Sequence, residues 1–318
     1  LDAHRGRLLQ PVELPDFAEE LQWGYLAEAD GALYVSCMKR TAPRLELDRA
    51  AARDSYANQD YNSRRPVVCS RFFCRLDQSG FDNNSTVAWH YAAQGVIPHS
   101  TISMNGTARR AVWVEGRSDA CRSHASDRVE VSQLMEDAWL VCLDLDTGKT
   151  IWEQPFKWPA AENMLYSQLV DDTITLVTSR SLRTVAEYSV KALSLRDGNP
   201  LWEVSMSSFL DLDSGYGQIY LVDEDDSIIA IDTRTAEEAW RQEALARRGL
   251  SSPIAFSNYL AVTDADGYIH VLAQSDGRLL GRRKLDGKGV RSRMVYADGI
   301  LYAFGNSGSL QALEITVR

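Results

Sequence analysis

Long apolar runs are missing from this chain of 318 residues, and none approaches the ~18 consecutive residues that a membrane-spanning helix needs. Basic blocks are missing as well, because 34 Lys and Arg stand against 44 Asp and Glu for a formal net charge of −10. A face that binds the phosphates of nucleic acids is therefore not expected. The composition, 45% hydrophobic and 25% charged, suits a folded protein with a large core.

The usual metal and nucleophile motifs are also missing. None of the five cysteines forms a Cys-x-x-Cys pair, and no histidine lies near enough in sequence to complete a zinc spacing. Cys69 and Cys74 are close enough in sequence for a local disulfide, and Cys142 is expected to be packed in a strand. No Gly-x-Ser-x-Gly elbow is present, so the sequence gives no support to a hydrolase.

What the chain does have is a repeat motif: a short apolar strand, a polar turn with a small residue, and a Trp four positions after that residue. Three copies are Leu143–Trp152, Leu193–Trp202 and Ile231–Trp240. A fourth copy, Leu272–Gly281, has glycine where the tryptophan is expected. Recurrence at roughly 40–50 residues indicates one supersecondary unit that is stacked many times.

The repeats predict an all-β protein made of four-stranded antiparallel β-propeller blades. In the cleanest copy, strands are expected at Ser208–Asp213, Gln218–Val222, Ser227–Ile231 and Ala239–Gln242, with tight polar turns between them. Six blades can be counted, and six to eight are compatible with the repeats. The last has three strands, and residues 5–10 are expected to supply its outer strand.

The whole chain, residues 1–318, is predicted to be a single propeller domain. Because it begins at Leu1 without an initiator Met, we expect a processed or N-terminally truncated product. Two long polar segments, residues 39–65 and 116–134, interrupt the strand pattern and are expected on the rims of the propeller, where function usually lies.

The tryptophans of the motif are predicted to be structural. Each indole can bury a large apolar area where its blade meets the next one. The alternative is an aromatic stacking platform, but blade packing explains the spacing without further assumptions. The four residues are Trp89, Trp152, Trp202 and Trp240.

Few other residues suggest a site. His99, ahead of an inner strand, is a candidate base or ligand in a central channel, although a hydrogen-bonded structural role is favoured. The acidic turns 223–226 and 264–267 resemble parts of calcium loops but lack the full ligand spacing, and solvated turns are favoured. Candidate partner-binding residues on exposed loops are Arg247, Arg248, Leu250 and Trp158.

The motif resembles the PQQ-type repeat of quinoprotein-like propellers. From about residue 207 to 313 the resemblance becomes more specific: residues 218–226, 248–253, 266–272 and 276–278 are similar to the C-terminal blades of the BamB family of outer-membrane β-barrel assembly factors. This resemblance implies a non-catalytic scaffold at the periplasmic side of the outer membrane, which binds envelope proteins through rim loops or by pairing an edge strand with a client.

A PQQ-dependent dehydrogenase of the cell envelope is the alternative function. Resemblance to those enzymes would imply PQQ, a calcium ion and an Asp base, and typically a disulfide between adjacent cysteines. The chain has no adjacent cysteines, and the calcium ligands have no matching positions. No cofactor, no metal and no catalytic residue are therefore predicted, and cofactor-binding residues are left unassigned.

Overall fold

The computed structural model describes residues 21–39, 66–67, 69–78, 85–123, 129–156, 162–182, 185–206, 211–290 and 292–315. In this part of the chain it has 25 β-strands and two short α-helices, of four and six residues. No helix among these residues is both long enough and apolar enough to cross a membrane. The predicted all-β class is therefore confirmed.

The chain is divided into two compact units. One is Leu1–Val185 with Leu193–Leu201, and the other is Ala186–Ala192 with Trp202–Arg318. The prediction of a single domain over residues 1–318 stays a prediction. The N-terminal segment 5–10, expected to complete the last sheet, lies outside the described residues.

The first sheet contains eight strands. They are β1 (Leu21–Ala29), β2 (Ala32–Lys39), β4 (Cys69–Gln78), β5 (Ser85–Pro98), β6 (Ser103–Asn105), β7 (Arg110–Gly116), β9 (Ala138–Asp144) and β10 (Thr150–Pro155). Their order is β1-β2-β4-β5-β7-β9-β10, and β6 pairs with β7.

Strand β5 is continuous over 14 residues and also reaches β7 through the pair Val96–Gly116. Gly95 permits this approach, because a Cβ atom there would lie 1.9 Å from the Gly116 carbonyl oxygen. Two expected blades are therefore joined in one sheet.

In the first unit, the two residues that follow the first polar segment pair with a part of the second polar segment. Strands β3 (Pro66–Val67) and β8 (Val129–Glu130) form a two-stranded antiparallel sheet. Beside it lie the helices α1 (Asp119–Arg122) and α2 (Val131–Glu136). Residues 40–65 and 124–128 lie outside the described part. The pairing brings together segments that are more than sixty residues apart in sequence.

The remaining sheets follow one pattern, with strands in sequence order. The third sheet contains β11 (Glu162–Val170), β12 (Thr173–Leu182), β13 (Val185–Ser194) and β14 (Pro200–Met206). The fourth sheet contains β15 (Asp211–Gly215), β16 (Gln218–Val222), β17 (Ile228–Asp232) and β18 (Glu238–Gln242).

The fifth sheet contains β19 (Ile254–Phe256), β20 (Tyr259–Thr263), β21 (Tyr268–Ala273) and β22 (Leu279–Lys284), and the sixth contains β23 (Val295–Ala297), β24 (Ile300–Phe304) and β25 (Leu310–Leu313).

Each indole of the repeat motif is hydrogen-bonded to the next copy of the motif, within the first sheet for Trp89 and in a different sheet for the other three. Each Nε1–H donates to the carbonyl oxygen of the residue that precedes the turn in the next copy of the motif. The pairs are Trp89 to Leu145 at 3.1 Å, Trp152 to Leu195 at 2.9 Å, Trp202 to Thr233 at 2.6 Å and Trp240 to Gln274 at 2.8 Å. The same contact therefore recurs four times.

The small residue of the motif serves two purposes. Gly148, Gly198 and Gly277 have φ between 68° and 72°, and Ala236 has φ 62°, a conformation that glycine adopts most readily. A Cβ atom at Gly148 would also lie 2.5 Å from Trp89, and one at Gly277 would lie 2.4 Å from Trp240. The glycine thus leaves room for the indole of the preceding copy of the motif.

Apolar side chains fill the space between neighbouring sheets. In the second unit, Tyr220, Val222 and Trp240 of the fourth sheet pack against Leu260 and Val262 of the fifth. The other face of the fifth sheet packs against the sixth in the same way, through a cluster that includes Phe256, Ile269, Leu301 and Leu313. Each inner strand is therefore buried on both faces, as the continuous apolar runs of β16 and β20 require.

Candidate partner-binding surface

The loop from Leu245 to Leu250 connects β18 to β19 and contains three of the predicted partner-binding residues. The carboxylate of Asp226, in the preceding hairpin turn, accepts hydrogen bonds from the amides of Gly249 at 2.7 Å and Leu250 at 2.8 Å. The Arg247 amide donates to the Asp225 carbonyl at 3.1 Å. The loop is therefore attached to the turn of the fourth sheet through its backbone.

Arg248 attaches the same loop to the fifth sheet. Its guanidinium donates to the buried Asp264 carboxylate through Nε at 2.8 Å and through a terminal nitrogen at 2.7 Å. His270 Nε2 lies 2.8 Å from the same carboxylate oxygen, and the Tyr268 amide donates to the other oxygen at 2.8 Å. Arg248 is therefore largely committed to an internal ion pair.

Opposing effects act on the Asp264 carboxyl. Burial alone raises its pKa, but the hydrogen bonds from His270, the Tyr268 amide and Arg248 outweigh burial and hold the pKa below the ordinary value of 3.8. The carboxylate is thus charged at neutral pH. It connects Tyr268 and His270 of β21 to Arg248 of the loop.

The predicted partner-binding residues are not equally available to a partner. Leu250 is only 9% exposed and packs in the core between the fourth and fifth sheets, so it is not the apolar half of a surface pair. Arg247 is exposed, and no ion pair joins it to another described residue. Trp158 lies outside the described residues. Arg247 is therefore the member of this set that a partner can reach most directly.

The acidic turns are not simply solvated, as the sequence had favoured. Asp226 is 5% exposed and Asp264 is fully buried, and both carboxylates accept hydrogen bonds from elements distant in sequence. In the described ranges, no group of three or more His, Cys, Asp or Glu side chains is arranged to hold a metal ion. Sequence reasoning missed this structural role because its partners, Gly249 and Arg248, belong to a loop more than fifteen residues away.

His99 lies in a polar contact inside the first unit. Its Nε2 is 2.6 Å from the Ser70 hydroxyl and 3.3 Å from the Ser36 hydroxyl, and both serines are almost fully buried. Burial lowers the pKa of His99 to about 4, so the imidazole is neutral at neutral pH. A Cβ atom at Gly24 would lie 2.5 Å from the ring, which leaves no room there for a ligand. The contact has the properties of a structural hydrogen-bond network.

A buried ion pair that the sequence did not suggest lies in the first sheet. Glu115 is fully buried and accepts from Arg117 at 2.8 Å, from the Gln94 amide at 2.9 Å and from the Tyr91 hydroxyl at 2.7 Å. Arg117 is 2% exposed and also pairs with Glu153 at 2.6 Å. Neither charge is left without a partner, as burial of an ion pair demands.

The five cysteines are all free thiols in this structure. Cys69 and Cys74 both lie on β4, five residues apart, so their Cα atoms are separated by about 16 Å at ~3.3 Å per residue. A disulfide needs Cα atoms within about 7 Å. The local disulfide that the sequence spacing of these two residues had left open is therefore not formed.

The last sheet offers a different kind of surface. Strand β25 pairs with β24 on one side, and no strand in the described part of the chain pairs with its other side. One face of this sheet carries exposed apolar side chains, with exposed fractions of 59% for Val295, 51% for Phe304 and 67% for Leu310. A polypeptide in extended conformation can add to such an edge.

Comparison with known protein families decides the relationship. The family model of the outer membrane protein assembly factor BamB matches residues 79–214 and 136–317, which together are well over half of the chain. The chain belongs to the BamB family. The predicted β-propeller type of fold and the PQQ-like repeat are thereby confirmed.

Individual relatives agree with this assignment. BamB of Pseudomonas aeruginosa is 37% identical over 178 residues, which are 55% of this chain and 47% of that protein. BamB of Escherichia coli is 28% identical over 170 residues, which are 53% of this chain and 43% of that protein. The chain therefore spans about half the length of the curated relatives it matches.

Among solved structures, KlHsv2 with loop 6CD replaced by a Gly-Ser linker matches with a TM-score of 0.54 and 12% identity. The match covers 89% of this chain and 74% of KlHsv2. At this identity, the likeness concerns the fold alone.

Proposed function

We propose that the protein is a non-catalytic β-propeller scaffold of the bacterial cell envelope that takes part in outer-membrane protein assembly. The observation that carries the proposal is the BamB family match over residues 79–317. The relatives found are outer membrane protein assembly factors by name, in several bacteria.

The proposed location is the periplasm, in association with the outer membrane. It follows from the family assignment, and the partners would then be other envelope proteins, in particular components of the machinery that assembles outer-membrane β-barrels. Neither nucleic acid nor a bound PQQ or calcium ion is part of the proposal.

Two surfaces support contact with proteins. Arg247 extends from a loop whose backbone is fixed by Asp226, so a partner carboxylate would meet a positioned cation. The side of β25 that no strand in the described part of the chain pairs with, next to the exposed apolar face, suits β-augmentation by an extended client.

Affinity capture tests the proposal. The tagged full chain is incubated with solubilised envelope of a Gram-negative bacterium, and the captured proteins are identified by mass spectrometry. We expect enrichment of barrel-assembly components relative to an unrelated β-propeller used as bait. Equal recovery with the two baits would contradict the scaffold function.

A second assay tests the alternative function, a PQQ-dependent dehydrogenase. The chain is incubated with PQQ and Ca²⁺, and dye-linked oxidation of alcohols and sugars is measured. We expect no turnover above the rate of PQQ and Ca²⁺ without protein. Turnover that depends on the folded chain would replace the scaffold proposal with a quinoprotein dehydrogenase.

A further inference from the structure

The fifth sheet lacks the tryptophan of the repeat motif, and a cavity lies beside the glycine that replaces it. In the motif copies with tryptophan, Trp152 is opposite Cys142 and Trp240 is opposite Ala230, each next to an irregularity in the strand pairing. Gly281 of β22 is opposite Val271 next to the same irregularity. Gly281 is therefore equivalent to the tryptophans in structure as well as in sequence.

The space that an indole would occupy is open. A Cβ atom built on Gly281 meets no atom of the described residues within 4 Å, and the backbone φ of Gly281 is not in the left-handed region, so a side chain would be tolerated there. The cavity measures about 640 Å³ and lies between β22 of the fifth sheet and Leu301, Leu313 and Ile315 of the sixth. Its volume falls within the ~300–1,000 Å³ typical of ligand pockets.

The walls of the cavity match those around the tryptophans of the motif. Leu313 ends the third strand of the sixth sheet, and Ile315 lies two residues further on. They hold the positions that Leu272 and Gln274 hold in the fifth sheet. Gln274 is the residue whose carbonyl accepts from Trp240, at 2.8 Å. By this equivalence, the backbone carbonyl of Ile315 is expected to accept the N–H of an indole that fills the cavity.

The charged residues that line the cavity indicate which chemical group it can bind. Arg282 and Arg283 line it together with a single acid, Glu314. Neither arginine forms an ion pair within the ranges that the structure describes, although Arg282 lies over the Tyr268 ring at 5.6 Å. An excess of cations beside an apolar cavity favours an aromatic group that is accompanied by a carboxylate.

We propose that this cavity binds an aromatic side chain, preferably an indole, of a partner polypeptide in which an acidic residue lies next to the aromatic one. The aromatic ring replaces the missing tryptophan of the motif, and the acid pairs with Arg282 or Arg283. The site does not depend on the identity of the envelope partner proposed above.

Binding of short peptides tests the site directly. Isothermal titration of the purified full chain with the acetylated, amidated peptide Gly-Ser-Asp-Trp-Asp-Ser-Gly is compared with the same peptide carrying Ala for Trp. We expect saturable binding that is at least tenfold weaker for the Ala peptide. Equal binding of the two peptides, or no binding of either, would overturn the proposal.

Two protein variants locate the binding. Gly281→Trp supplies the missing indole from within the chain and is expected to weaken binding of the Trp peptide at least tenfold. The matched control is Gly287→Trp, at a glycine that also has open space but does not line the cavity. Retained binding in a folded Gly281→Trp protein, or equal loss in both variants, contradicts the assignment.

A separate double variant tests the charge of the two arginines and keeps Gly281 and the apolar lining of the cavity. In Arg282→Glu with Arg283→Glu, the Asp-Trp-Asp peptide should lose more affinity than an Asn-Trp-Asn peptide. Equal losses would remove the acidic part of the proposal.

Other occupants give different results. Binding of N-acetyltryptophanamide as tight as that of the peptide would point to a small-molecule site, and dimerisation that Gly281→Trp abolishes, seen by sedimentation velocity, would point to a second copy. Either result overturns the proposal. Because the titration contains no envelope protein, its failure leaves the scaffold function standing.

Discussion

At the scale of single residues, the motif glycine and the tryptophan of the preceding sheet depend on each other. Gly277 combines a φ of 68° with a distance of 2.4 Å between a built Cβ and the Trp240 ring. Gly299, in the turn between β23 and β24, has a similar φ of 82° but no atom within 4 Å of a built Cβ. The two glycines allow backbone strain to be separated from steric overlap.

Gly277→Ala should therefore destabilise the protein more than Gly299→Ala. We expect about 1–2 kcal/mol for Gly299→Ala from the left-handed backbone alone. Gly277→Ala should cost a further ~1–3 kcal/mol because the indole must move out of its packed position. Urea unfolding measures both values. Equal costs would mean that the indole is not packed against this turn.

The buried ion pair of the first unit gives a second residue-level prediction. Arg117→Met leaves Glu115 charged and buried without its guanidinium partner. We expect a loss of about 3–5 kcal/mol in the free energy of unfolding, measured by urea denaturation. The double variant Glu115→Gln with Arg117→Met should recover most of that loss, since no unpaired charge remains. If the single variant retained the full stability, the buried pair would not be formed.

At the scale of elements, the Asp264 carboxylate joins the 245–250 loop to the fifth sheet, and its ionisation links this junction to pH. Its pKa is below the unfolded value of 3.8 in the folded protein. A group of this kind contributes stability that is fully present above the unfolded pKa and is lost as pH falls through the folded pKa. The contact between the 245–250 loop and the fifth sheet therefore contributes its full stability at neutral pH and loses stability in acid.

Asp264→Asn should reduce the loss of stability between pH 4 and pH 2 compared with the unchanged protein, while lowering stability at pH 7. The measurement is the free energy of unfolding as a function of pH. Asp266→Asn is the matched control, because Asp266 is exposed and lies 3.5 Å from the same arginine. Identical pH dependence for Asp264→Asn and Asp266→Asn would show that the buried carboxylate does not link this loop to pH.

The elements also show where sequence reasoning succeeds and where it stops. Strands β16, β17 and β18 lie within one residue of their predicted bounds, because short strands bounded by polar turns are local signals. The continuous strand β5 was not predicted, because its extension depends on contact between Gly95 and Gly116. The pairing of β3 with β8 was not predicted either, since it joins two segments without a periodic pattern.

The same distinction between local signals and contacts distant in sequence applies to the candidate site. The loop at 245–250 was recognisable as a polar turn, and Arg247 is exposed as expected. The burial of Leu250 and the engagement of Arg248 by Asp264 depend on how the fourth and fifth sheets pack, which no local pattern encodes. The cavity at Gly281 was visible in the sequence only as a missing tryptophan.

At the scale of the whole molecule, one repeated contact explains both the regularity of the fold and its exception. Four indoles donate to equivalent carbonyls in the next copy of the motif, and the copy that ends at Gly281 has a cavity instead. The proposed scaffold would offer other proteins its loops and the side of β25 that no described strand pairs with. The BamB family membership indicates which proteins those are expected to be.

The most direct test of this account is a binding titration between the purified full chain and the purified barrel-forming component of the outer-membrane assembly machinery from the same organism, without PQQ or calcium. We predict saturable binding that Arg247→Glu weakens at least tenfold and that Arg234→Glu, at an exposed arginine in the turn between β17 and β18, leaves unchanged. No binding by the folded chain would contradict the account.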